Sequence, residues 1–125
     1  MKNTLIFAAA VAAFAVCAAP AFAGECSDDQ ESTAGMLAAG VAKDAVAKVI
    51  AVTGKQMVNV ETCDFRGGTY NVAYKYNFLA ADGLYWVEVT AKFGADGSGA
   101  STKVTKESPN MAAAEAKAGV KLASN

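Results

Sequence analysis

Cys26 and Cys63 are the residues of this chain whose chemistry is easiest to read. In an oxidising compartment an even pair of cysteines in a small domain forms a disulfide. Such a bridge closes a loop of about 37 residues, for which chain entropy contributes roughly 4 kcal/mol. Free thiols are the alternative. Redox activity is disfavoured because the pair is not spaced Cys-x-x-Cys and no catalytic partner is near it in sequence. A third cysteine, Cys17, sits inside an N-terminal apolar run. The Phe14-Ala15-Val16 before it lacks the leucine and small residues of a lipidation site.

The chain has no histidine. That removes Ser-His and Cys-His dyads, imidazole metal sites and the commonest general base near neutral pH. Glu61 and Glu88 fall on neighbouring regions of an expected sheet and read as solvated strand carboxylates, with no sign of the burial that raises a pKa. Asp28, Asp29 and Glu31 read as the acidic first turn of a helix, since Ser27 and Gln30 form a capping box. Asp96-Gly97-Ser98-Gly99 supplies a single carboxylate, too few for a calcium loop, and reads as a turn. The glycines there are not followed by the Lys-Ser/Thr of a phosphate cradle. No catalytic residue, cofactor or metal site is assigned, and the chain is read as non-enzymatic.

The N-terminus carries an address. Lys2 gives a positive start, Leu5 to Ala19 is apolar, and Ala21-Phe22-Ala23 puts small residues at −3 and −1 before Gly24. The run is too short to span a bilayer, which takes ~20 apolar residues. Residues 1–23 are therefore expected to be a cleaved secretory signal, and the protein to be periplasmic or extracellular. The formal charge of −1 becomes −2 once Lys2 leaves with the signal. That argues against a nucleic-acid partner and offers no polybasic patch to a membrane. No stable membrane anchor remains after cleavage.

The rest has room for one domain, expected over residues 24–107. A helix is predicted from Asp28 to about Thr53, with Gly54 as its C′ residue and a bend near Gly40. Its apolar stripe would be Ala38, Val41, Ala45, Val49 and Val52. The period then changes to 2, giving strands over Gln56–Phe65, Thr69–Leu79 and Leu84–Phe93 and a weaker edge strand over Ala100–Lys106. Ser108-Pro109 is expected to end regular structure. Residues 108–125 would be an Ala/Lys-rich tail, disordered or a marginal helix.

Asp82-Gly83 is a two-residue hairpin signal that sets Phe78 opposite Val87, Tyr76 opposite Val89 and Tyr74 opposite Ala91. A four-residue loop from Ala80 to Gly83 keeps the same faces. Either way Tyr70, Val72, Tyr74, Tyr76 and Phe78 share one side, with Asn71, Ala73, Lys75 and Asn77 on the other. In the first hairpin, a Gly67-Gly68 loop buries Phe65, Cys63 and Met57 but takes Glu61 inward. A three-residue Arg66-Gly67-Gly68 loop buries Val58, Val60 and Thr62 and is preferred, because an unpaired buried carboxylate is costly.

One helix packed on an antiparallel meander of three or four strands is an α+β, two-layer domain. This order resembles the cystatin-like arrangement, and the hairpins are similar to those of small periplasmic inhibitor-type domains. The loop residues by which cystatins engage cysteine proteases have no counterpart here, so the resemblance implies architecture and not inhibition. Two surfaces remain as candidates. Tyr70, Tyr74, Tyr76 and Phe78 could line an apolar pocket between helix and sheet, or simply be core. Leu79, Leu84 and Trp86 cluster at the hairpin end of the opposite face as a partner patch, unless the C-terminal tail covers it. The expected function is an exported interaction module for a protein partner, with a periplasmic carrier of a small apolar ligand as the alternative.

Overall fold

In a computed structural model, residues 24–123 are described. The expected signal over residues 1–23 and its cleavage point lie outside them, as do residues 124–125. The elements are α1 (Asp28–Val46), β1 (Gln56–Arg66), β2 (Thr69–Ala80), β3 (Gly83–Gly94), β4 (Ser101–Glu107) and α2 (Pro109–Ala118). The strands form one antiparallel sheet in the order β1-β2-β3-β4. This is the α+β meander expected from the alternating strand pattern, with a second helix added.

Helix α1 starts as its capping box requires. The Ser27 side chain accepts from the Gln30 N–H, and the Gln30 side chain accepts from the Ser27 N–H. It runs unbroken through Gly40 but stops at Val46, short of the expected Thr53. Beyond it Val49 and Ile50 both donate their N–H to the Val46 carbonyl in a tight turn, and Thr53 and Gly54 donate to the Leu79 carbonyl. The β-branched Val49, Ile50, Val52 and Thr53 disfavour helix, so the backbone pairs with the sheet instead. Gly54 accordingly caps nothing.

The buried stripe of α1 is Ala34, Ala38, Ala42 and Val46. It is rotated from the expected stripe, sharing Ala38 and leaving Val41 and Ala45 only half-buried. Small residues at every fourth position bring the helix close to the sheet, where large rings fill the space between layers.

On the sheet the expected faces hold. Tyr74, Tyr76, Phe78, Val87, Val89 and Phe93 are buried in the core beneath the helices, while Lys75, Asn77, Glu88 and Thr90 lie on the other side. The loop itself differs. Ala80 pairs with Gly83, so Ala81-Asp82 forms the turn, and Phe78 lies opposite Tyr85 rather than Val87. This is the register of the four-residue alternative, and a shift of two residues leaves every side chain on its face. The Tyr85 hydroxyl donates to the Asp82 carboxylate at 2.9 Å, tying the turn to the inner face.

The first hairpin combines both readings of its sequence. The turn is Gly67-Gly68, both at positive φ, so the three-residue loop is corrected. Cys63 and Phe65 pair with Val72 and Tyr70, whereas Val58 and Val60 pair with Tyr76 and Tyr74. A register shift between Val60 and Thr62 makes Glu61 the extra residue of a bulge. Thr62 is exposed rather than buried, and so is Met57. The bulge lets both apolar pairs point inward while Glu61 stays in solvent, which is the cheapest resolution of the conflict.

Ser108-Pro109 does not end regular structure but opens α2. Proline at the first helical position has its φ already set, and Gly119, at φ 73°, closes the helix. Ser108 is anchored to Trp86, donating its N–H to the Trp86 carbonyl and accepting the Trp86 N–H on its hydroxyl. Met111 is fully buried, and Ala114, Leu122 and Ala123 pack on the same core as α1. The chain then bridges back to β4 through Ala123 and Val104. Both helices therefore cover one face of the sheet.

The face assignment has a measurable consequence. Val89→Ala is expected to cost about 1–3 kcal/mol by opening a cavity, and its neighbour Thr90→Ala less than about 0.5 kcal/mol. Urea unfolding of the two variants checks this.

Candidate interaction surfaces

The cysteines meet as their sequence suggested. Cys26 and Cys63 are disulfide-bonded with Cα atoms 5.5 Å apart. The bridge is flanked by a short ladder in which Cys26 donates its N–H to the Cys63 carbonyl and Phe65 donates to Gly24. The segment ahead of α1 thus covers the outer edge of β1 at its turn end. A disulfide of this kind fits an oxidising compartment.

Tyr70, Tyr74, Tyr76 and Phe78 are all buried in the core. The Tyr74 hydroxyl donates to the Ala38 carbonyl of α1 at 3.1 Å, and the Tyr76 hydroxyl donates to Gln56 Oε1 at 2.6 Å. Burial pushes the Tyr74 hydroxyl far up and the Tyr76 hydroxyl up to about 12. Tyr76, Phe78 and Tyr85 stack in a row, with ring centroids 5.3 and 5.5 Å apart. Tyr85 shares their parity on the sheet but was in neither set of candidate residues. Its hydrogen bond to Asp82 raises its hydroxyl pKa. The stripe is therefore packed interior, with partners for the Tyr74 and Tyr76 hydroxyls.

Open grooves among the described residues lie elsewhere. One, of about 570 Å³, runs between α1 and β1 and is lined by Asp28, Glu31, Met36, Ala39, Val58 and Val60 among others. The other, of about 410 Å³, lies between α2 and the Val49–Ile50 turn, with Tyr85 and Asp82 at its side. Neither is lined by Tyr70, Tyr74, Tyr76 or Phe78.

The opposite face of the sheet carries the other candidate cluster. Leu79 and Leu84 pair directly across β2 and β3, and Trp86 is opposite Asn77 two residues further in, on the same face. Leu84 is 59% exposed and Leu79 38%. Lys75 places its Nζ 4.4 Å from the centre of the Trp86 ring, a cation–π contact that leaves the indole half-buried. The C-terminal segment packs on the other face and does not cover Leu84. Asn110 at the start of α2 touches only its backbone, donating to the Leu84 carbonyl.

The acidic groups separate. Glu61 sits at the β1 bulge, and Glu88 of β3 pairs with Lys75 of β2, which lies between the two glutamates. Asp96 Oδ1 accepts from both the N–H and the hydroxyl of Ser98, which holds its carboxyl below the usual range. Among the described residues no group of three or more His, Cys, Asp or Glu side chains is placed to hold a metal ion. No helix among them is long and apolar enough to cross a membrane.

One titratable pair was not visible in the sequence. Glu107 at the end of β4 and the buried Glu115 of α2 present carboxyl oxygens, Oε1 and Oε2 respectively, with no donor among the described residues. The other Glu115 oxygen accepts from the Leu122 N–H. Burial, followed by the hydrogen bond and charge of Glu115, pushes Glu107 up to about 7, with Lys121 opposing. A carboxyl whose folded pKa is raised stabilises the fold below its unfolded pKa and loses that contribution as pH rises through the folded value. Urea midpoints are therefore expected to fall between about pH 4.5 and pH 7, over the span of the Glu107 shift. Glu107→Gln, which keeps a donor at every pH, should flatten that slope.

Compared with protein-family models, with curated proteins and with solved structures, the chain matches none.

Proposed function

We propose that this protein is an exported, non-enzymatic interaction module that binds a partner protein through Leu79, Leu84 and Trp86. The observation that carries the reading is the bare outer face. Among the described residues both helices and the C-terminal segment lie on the other side, leaving an exposed apolar pair and a half-exposed tryptophan at one end of the sheet. Tryptophan and its apolar neighbours are the residue types that anchor protein interfaces. Export is supported by the pattern of residues 1–23 and by the disulfide. A carrier whose pocket is lined by the tyrosine stripe draws no support from the packing, because those rings fill the core and the Tyr74 and Tyr76 hydroxyls are spent on α1 and Gln56.

The test is capture from an envelope extract with the exported protein and with Leu84→Glu and Trp86→Ala. A partner retained by the parent and reduced about tenfold or more by either variant, with thermal midpoints unchanged, supports the reading. A partner held equally by all three would place the binding surface elsewhere. Trp86 is the only tryptophan, so its fluorescence reports the same contact directly. Intact mass of the exported product should correspond to a chain beginning at Gly24.

A further inference from the structure

We infer that a second copy of this chain pairs with β1 along its outer edge, joining two sheets into one across a two-fold axis at Val58. The edge strands of the sheet are β1 and β4. Exposed edges invite pairing with other chains, and proteins guard them with charge, proline or covering segments. The β4 edge carries Lys103 and Lys106, and Ala123 bridges to Val104 from outside. The turn half of β1 is covered by Gly24 to Cys26. The other half, Gln56-Met57-Val58-Asn59-Val60, has no charge and no proline, and among the described residues nothing pairs with its outer side.

The backbone of that half is directed outward. Leu79 of β2 turns both its N–H and its carbonyl toward the segment leading into β1, bonding Thr53, Gly54 and Lys55. Direction alternates along an antiparallel strand, so Tyr76 and Tyr74 bond toward β3 instead. Their partners on β1 are Val58 and Val60, and Phe78 faces Gln56 in the same way. The N–H and carbonyl groups of Gln56, Val58 and Val60 therefore point away from the sheet, unpaired. Met57 and Met36 lie beside this edge and are 57% and 78% exposed.

Charge selects the occupant. Cys26 is bonded to Cys63 and Gly35 lies against Val60, so α1 runs antiparallel to β1. Asp28 and Glu31 thus sit at the Val60 end of the groove together with Glu61, while Lys55 lies at the Gln56 end. An edge that is acidic at one end and basic at the other is complementary to itself under a two-fold axis. With the axis at Val58, Val58 faces Val58 of the second copy, Gln56 faces Val60, and Lys55 faces Glu61 twice. The pairing stays clear of the part of β1 already covered by Gly24 to Cys26.

Sedimentation equilibrium on the exported protein tests this, using Lys55→Glu, Glu61→Lys, their combination, and Val58→Pro. A reversible dimer is expected, weakened about tenfold or more by either charge reversal, which replaces attraction by repulsion at both ends. The combined reversal should restore it, because opposite charges would again face each other at positions 55 and 61. Lys55 and Glu61 are exposed, so these variants report pairing and not folding. Val58→Pro removes a donor that β2 does not use and should leave monomer. A parent that is monomeric throughout, as expected if the edge serves some other strand, would overturn the inference. So would a dimer indifferent to both single reversals.

Discussion

Phe78→Ala is expected to remove about 3–5 kcal/mol of stability, a large fraction of the roughly 5–15 kcal/mol typical of a domain. Phe78 is fully buried between the rings of Tyr76 and Tyr85, so truncation empties the middle of a three-ring stack. The neighbouring elements are poorly placed to fill the gap, since the α1 residues facing the sheet are largely alanine. Urea unfolding should show a strongly lowered midpoint, whereas Leu84→Ala on the exposed face of the next strand should change it little. A small effect at Phe78 would mean that the ring stack is not the core.

Replacing both Cys26 and Cys63 with serine is expected to cost about 2–5 kcal/mol, the range for removal of a native bridge from a small exported domain. The bridge holds the entry of α1 onto β1 and supports the two backbone hydrogen bonds that Gly24 and Cys26 make with β1. The loss should therefore appear both in the unfolding midpoint and as faster amide exchange at Cys26 and Phe65. Thiol labelling of the unfolded, unreduced parent should find neither cysteine free.

The inner and outer faces of β2 and β3 were legible because alternation over twelve residues in each strand tolerates no odd slip. The turn was misplaced by one residue, and the register by two, for the same reason: an even slip preserves both faces. In β1 the two apolar sets, Cys63 with Phe65 and Val58 with Val60, are out of phase. Their conflict is itself the signature of a bulge, and Glu61 is the residue between them. The end of α1 was overestimated because Val49 and Val52 continue the helical spacing while their β-branched side chains oppose the helix.

The docking of α2 had no clear signal, since an alanine-rich segment has little apolar contrast between its faces. Its burial depends on Met111 and on the Ser108–Trp86 contact, both tertiary. The Glu107–Glu115 pair was hidden for a related reason: each glutamate is ordinary in its own segment and becomes unusual only when α2 folds back on the sheet and the end of β4 meets it. The outer patch was legible as a cluster, but whether the tail covers it depended on the path of α2.

Hydroxyl-radical footprinting of the exported protein, read residue by residue by mass spectrometry, tests most directly the claim that both helices close one face and leave the other bare. The account predicts rapid labelling of Leu84, intermediate labelling of Trp86, and protection of Tyr74, Tyr76, Phe78 and Met111 until the chain unfolds. Fast labelling of the tyrosines together with protection of Leu84 and Trp86 would contradict it.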